Sequence, residues 1–218
     1  MVAHVVERAF EAGVFAQVLV ATDHEEVARV AEGVGAQAVL TGPAKSGTDR
    51  VAMAIAKVGA NAEGDVILNL QGDEPAIPPE NLRLLAQFLL NHPDVPIGTL
   101  ALPGDHQELL NPNVVKVVCD EKGRALYFSR APIPYQRNPN AALVRKHLGL
   151  YGFQRQALVA FAALPEHPLE LCEGLEQLRA LAHGIPIHVL SAAGASVAVD
   201  TPEDVPMAEQ ALARRKGG

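Results

Sequence analysis

The chain is predicted to fold as an α/β protein, with a mixed, mainly parallel sheet flanked by helices. Short apolar runs alternate with segments of helical periodicity through its first half, as crossover units around a parallel sheet require. Those runs stop at polar or acidic residues (Thr22-Asp23, Gln71-Gly72-Asp73), as buried strands stop at loops. With 218 residues, 49% of them hydrophobic, the chain is long enough to fill one core.

Taken in order, Val2 to Ala12 has apolar residues at helical spacing, and Gly13 ends it. Val18 to Asp23 is a buried strand, Glu25 to Gly33 a helix, and Ala38 to Thr41 a second strand. Gly42 to Gly47 is a loop by composition, and Thr48 is expected to cap the helix that runs on through Val58. Asp65 to Leu70 is a third strand leading into Gln71-Gly72-Asp73-Glu74-Pro75. Pro79 opens a helix ending at Asn91, and Ile97 to Leu102 is a further strand. In the second half, Val114 to Cys119 and Ala125 to Phe128 form a hairpin around the polar turn Asp120-Glu121-Lys122-Gly123. Prolines keep Arg130 to Pro134 extended. His147 to Phe153 alternates as a strand, two helices fill Arg155 to Ala182, and Ile187 to Leu190 and Val197 to Val199 are strands. Pro202 opens a last helix. Residues 1–218 thus read as a single domain, with a smaller inserted stretch at about 103–173 forming a dimer surface.

Composition narrows the function. A net charge of -7 without a cluster of Lys or Arg argues against nucleic-acid binding, while leaving room for one phosphorylated small molecule. Cys119 and Cys172 lack the spacing of a zinc site or a disulfide framework. No apolar run reaches membrane-span length and the N-terminus has no signal-peptide pattern, so the expected setting is the cytoplasm.

Open α/β sheets bind ligands beyond the carboxyl ends of their strands, so the strand-end residues are the candidates. Asp73, delivered by an apolar strand through Gly72, suits a magnesium ion, or it caps a turn or helix. Asp200, followed by Thr201-Pro202, suits a metal or a helix N-cap. Two such carboxylates from distant parts of the chain can share one cation. Ser46-Gly47-Thr48-Asp49-Arg50 opens a helix whose N–H groups suit an anion or a base edge, or it is a plain capped loop. Arg130, Arg137, His147 and Tyr151 lie on extended segments. The even spacing of His147 and Tyr151 puts both on one strand face, where an acidic sugar could be held or where a surface arginine and a half-buried aromatic would simply sit. Glu176 and Gln177 begin a helical turn that could be a solvated face.

Six motifs in order carry a resemblance: Ser46 to Arg50, Gln71 to Pro75, Tyr127-Phe128-Ser129-Arg130-Ala131-Pro132-Ile133-Pro134, His147 to Tyr151, Leu175 to Arg179, and Val199 to Asp204. Together they resemble the 3-deoxy-manno-octulosonate (Kdo) cytidylyltransferases from Val2 to the last helix. The resemblance implies a nucleotide-diphospho-sugar transferase-like fold, a homodimer, and transfer of CMP from CTP to Kdo with magnesium, for lipopolysaccharide precursors. It implies that Asp73 and Asp200 hold the metal. It implies that Gln71, Arg130, Arg137, His147, Tyr151, Glu176 and Gln177 surround the sugar acid, with Ser46, Gly47, Thr48, Asp49 and Arg50 beside the cytidine. Two alternatives stand beside it: another 2-keto sugar acid as acceptor, or a catalytically silent sugar-acid-binding dimer.

The family opens on a strand and a loop resembling P-A-R-x-x-S-x-R-L-P-x-K. Here Met1 matches an interior methionine beyond that loop, through a late start or a true truncation, the former favoured because every later motif is present. The absent strand is expected to leave a groove in mid-sheet lined by unpaired backbone. CTP affinity is expected to be at least ~100-fold below that of a chain carrying the basic loop, on the scale of two charge-assisted hydrogen bonds.

Overall fold

The computed structural model describes residues 1–59, 65–138, 143–199 and 201–216, with only the backbone of 214–216. The chain runs α1 (Val2–Ala12), β1 (Leu19–Thr22), α2 (Glu25–Gly33), β2 (Gln37–Leu40), α3 (Gly47–Val58), β3 (Val66–Asn69), α4 (Pro79–Asn91) and β4 (Ile97–Pro103). It continues α5 (His106–Leu110), β5 (Lys116–Cys119), β6 (Ala125–Ser129), β7 (Arg145–Gln154), α6 (Arg155–Ala162), α7 (Pro168–Glu173), α8 (Gln177–Ala182), β8 (Ile187–Ser191), a 3-10 turn (Pro202–Asp204) and α9 (Val205–Lys216).

The strands form two sheets. The larger has the order β6-β5-β7-β4-β8, with β3 also on β7. Strands β3, β4, β5 and β8 share one direction and β6 and β7 oppose them, so the expected bias is one of strand direction. The ladders themselves are mostly antiparallel, because β7 lies between β3 and β4. A strand from the stretch read as an insertion is therefore central to the sheet. The smaller sheet is β1 and β2, paired in parallel.

Helix α4 buries Leu82, Leu85, Ala86 and Leu89, spaced three or four apart so that they share one face. That face lies flush on the sheet where Gly98 of β4 and Gly152 of β7 are directly opposed. A β-carbon at Gly152 would meet Leu89 Cδ1 at 2.4 Å, and one at Gly98 would meet Leu85 Cδ1 at 2.8 Å. A second core, with Phe128, Phe153, Leu158, Phe161 and Leu178, includes residues of the sheet and of α6 and α8.

Several local expectations are corrected. Ser46, not Thr48, caps α3: its Oγ accepts the Asp49 N–H at 3.1 Å, and Thr48 lies buried in the first turn. The two helices expected over Arg155 to Ala182 are three, since Pro168 starts α7 and Gly174 at φ 64° ends it. Val197 to Val199 forms no strand; its Val199 N–H is given to the Asp73 carbonyl at 2.8 Å. Asp105 and Glu108 build a capping box for α5, an element not expected.

Candidate active site

The start of α3 is the organising point. Glu176, at the head of α8, takes the N–H groups of Gly47 (3.1 Å) and Thr48 (3.3 Å) on its two carboxylate oxygens. A helix N-terminus carries unpaired N–H donors and a partial positive charge, so it attracts an anion. The anion expected there from the sequence is, in the fold, one of the chain's own carboxylates. Gln71 packs on the same turn: a β-carbon at Gly47 would lie 3.0 Å from Gln71 Oε1. Asn69, at the end of β3, donates to Thr48 Oγ1 at 3.1 Å.

Thr48, Tyr151, Glu176 and Gln177 line a void of about 10 Å³. That is roughly the space one water needs. The buried Tyr151 hydroxyl has no hydrogen-bond partner among the described residues. Burial, then the nearby Glu176 carboxylate, holds its pKa well above the usual phenol range. The structure therefore brings together Gly47, Thr48, Gln71, Tyr151, Glu176 and Gln177, candidates drawn from four separate motifs.

His147 joins this group through Tyr151, with ring centroids 5.2 Å apart. A regular strand would separate residues four apart by about 13 Å. The difference is a bulge: Thr99 pairs with Tyr151 and the next residue, Leu100, with Leu148. Thr99 holds the bulge. Its buried hydroxyl donates to the Leu150 carbonyl at 2.7 Å and sits 2.9 Å from His147 Nε2. A hydroxyl has one proton, so the second contact runs from Nε2–H to Thr99, and Nδ1 keeps its lone pair. Burial pushes the His147 pKa down to about 3, and the ring is neutral.

Arg130 lies just past β6, with its side chain bonded to the Glu173 and Pro112 carbonyls at 2.9 and 3.2 Å and to none of the other candidates among the described residues, while Phe128, two residues earlier, meets the His147 ring edge-on at 5.1 Å. Arg137 lies on an exposed stretch, and among the described residues its side chain joins none of the other candidates. Arg50 is held bidentately by Asp23, with both N–O distances 3.1 Å, and donates to Thr41 at 2.9 Å. This pairing keeps the Asp23 carboxyl below its usual range. Asp49 turns inward to Arg179 at 3.2 Å. Arg179 is itself buried, bonded through Nε and Nη2 to Glu170 (2.9 and 2.5 Å) and stacked over Phe161.

Asp73 is partly exposed beyond β3. Asp200 lies outside the described residues, but the preceding Val199 is bonded to the Asp73 carbonyl. The approach to position 200 is well anchored. Buried Asn81 takes the N–H groups of Ala193 (2.8 Å) and Gly194 (3.2 Å) and returns a bond to the Gly194 carbonyl (2.8 Å), while Ser196 donates to Glu74. Among the described residues no group of three or more His, Cys, Asp or Glu side chains is arranged to hold a metal ion, and no helix is long and apolar enough to cross a membrane.

The expected groove is present. A cavity of about 700 Å³ separates β1 from β3, with Gly47, Arg50, Gln71 and Gly72 in its wall. Alternation turns the backbone groups of Leu19 and Ala21 on one side, and of Val66 and Leu68 on the other, away from their strand partners and toward this space. Asn69, Asn81, Thr99, Lys116 and Glu173 were not singled out by sequence reasoning. Asn69 and Glu173 lie two residues ahead of a motif, before Gln71 to Pro75 and Leu175 to Arg179 respectively, and the other three lie near none.

The cytidylyltransferase family profile matches residues 1–187. The chain is 49% identical over 214 residues to the 3-deoxy-manno-octulosonate cytidylyltransferase of Anaeromyxobacter sp. (strain Fw109-5), covering 98% of this chain and 86% of that one. It is 47% identical to the enzyme of the same name from Acidobacterium capsulatum, covering 99% and 87%. A solved CMP:2-keto-3-deoxy-manno-octonic acid synthetase complexed with CTP superposes with a TM-score of 0.91 at 38% identity, covering 98% of this chain and 88% of that one.

Proposed function

The chain belongs to the cytidylyltransferase family, and from that premise we propose that it joins CMP from CTP to Kdo and releases pyrophosphate. The observation that carries the reading is the seat of Glu176 on Gly47 and Thr48, with Gln71 against the same turn. It draws the segment assigned to the nucleotide and the residues assigned to the sugar acid into one wall, so two substrates bound there would be neighbours.

The anomeric hydroxyl of the sugar acid attacks the α-phosphorus and pyrophosphate departs in line. Such chemistry depends mostly on positioning and on neutralising charge. Arg130 takes the sugar carboxylate, its planar fork matching the two oxygens. Neutral His147 offers Nδ1 as an acceptor to a sugar hydroxyl, and Gln71 and Gln177 supply amide donors. The cytidine lies along Ser46 to Arg50, on the cavity side of α3.

Asp73 and Asp200 would hold magnesium. The hard oxygen donor at the end of β3 and the bond from Val199 to Asp73 support this pairing. When bound, the ion neutralises phosphate charge and orients the phosphate and sugar oxygens. A homodimer belongs to the same reading, supported by the exposed apolar residues Leu126, Tyr135 and Leu143 within 103–173.

Replacing Asp73 or Asp200 by Ala is expected to lower CMP-Kdo formation by at least ~100-fold, the scale of several kcal/mol of charge stabilisation. Unchanged turnover in either variant would refute the metal assignment.

A further inference from the structure

We propose that Lys116 and Glu173 are positioning residues that aim the Arg130 guanidinium at the carboxylate of the sugar acid. The inference rests on the reading that Arg130 takes that carboxylate.

Lys116 is 0% exposed. Its ammonium donates to three main-chain carbonyls: Asn111 at 2.9 Å, Val114 at 2.7 Å and Arg130 at 2.5 Å. An ammonium has three protons, so none is left for a ligand. Its role is to fix backbone, and it ties the loop before β5 to the residue after β6. Taking an ammonium out of water is costly, and an apolar side chain of similar length would fill the space at lower cost. What the lysine supplies, and an apolar residue cannot, is this joining of carbonyls.

Glu173 completes the clamp from the end of α7. Its carboxylate accepts the Ser129 hydroxyl at 2.6 Å and the Arg130 N–H at 2.9 Å, and its carbonyl accepts Arg130 Nε–H at 2.9 Å. Pro112, on the loop that Lys116 anchors, accepts Nη1 of Arg130 at 3.2 Å. Arg130 is thus held at its carbonyl, its N–H, its Nε and one proton of Nη1. The edge formed by Nη1 and Nη2 still has donors, and Nη2 has no partner among the described residues. With Nε already taken, that edge is the one left to grip a carboxylate bidentately. A long flexible side chain fixed before binding loses less freedom on binding, which is the source of the expected affinity gain.

The test is calorimetric titration of Kdo onto the 218-residue chain, with magnesium and an unreactive CTP analogue present, together with the thermal midpoint of each variant. Arg130→Ala and Lys116→Met are each expected to weaken Kdo binding by about 10-fold or more, the scale of one charge-assisted hydrogen bond. In the Arg130→Ala background, Lys116→Met is expected to add less than about 2-fold, because coupled residues are non-additive. A purely structural lysine would weaken binding equally in both backgrounds, and that result overturns the proposal. So does Kdo affinity within about 2-fold of the parent for Lys116→Met while Arg130→Ala is impaired. If Arg130→Ala binds normally, or the parent does not bind, the carboxylate reading beneath it falls instead. Should Lys116→Met not fold, Glu173→Ala, altered at a partly exposed site, is judged by the same comparisons.

Discussion

At the scale of residues, His147 shows what burial and a single hydroxyl do together. Desolvation lowers its pKa from 6.5 to about 3, so the folded ring stays neutral where an unfolded chain would protonate. The unfolded state then binds more protons between those values, and stability falls as the pH drops through that window. NMR of the His147 ring should show no titration near pH 6.5 and an Nε2–H tautomer; a midpoint near 6.5 would mean a solvated ring and would remove it as a neutral acceptor. Even spacing correctly put His147 and Tyr151 on one face. The contact between their rings was hidden, because it needs a bulge held by Thr99, and nothing in the alternating pattern marks a bulge. Ser46 and Thr48 differ in the same way: both can cap, and only the buried bond from Asn69 settles which one turns inward.

At the scale of elements, the pairing of α4 with the sheet depends on two missing side chains. Gly98 and Gly152 oppose each other under Leu85 and Leu89, and the contact at Gly152 is the closer. Gly152→Ala should therefore destabilise the protein by roughly 1–3 kcal/mol, the usual range for overpacking a filled core. Urea unfolding measures this, and an unchanged midpoint would mean that α4 is free to lift. Most elements were legible, since apolar periodicity and the prolines at helix starts are local signals; Pro79 and Asn91 bound α4 as expected. Tertiary partners were not. Glu176 reaches an N–H more than half the chain away in sequence, and Val197 to Val199 has a strand's composition but finds Asp73 instead of a ladder.

At the scale of the molecule, the exposed apolar residues of 103–173 should place the protein at twice its chain mass in sedimentation, and Leu126→Glu should shift it toward one chain. Sedimentation of the parent as a single chain would remove the dimer from the reading. The six motifs were enough to indicate family, fold and reaction, because their order reflects the whole chain. The groove between β1 and β3 has a further consequence. No strand ladder joins β1 and β2 to the larger sheet among the described residues, so their attachment depends on side-chain packing, on Arg83 bonded to the Glu11 and Ala12 carbonyls, and on α3. Helix α3 has its first turn in the candidate site and Val51, Ala54 and Ile55 on the groove wall. That first turn is bonded to the other side of the groove, through Glu176, Asn69 and Arg179, so α3 bridges the two sheets, and on the proposed reading the apparent affinity for nucleotide is scaled by the fraction of molecules in which the bridge holds both.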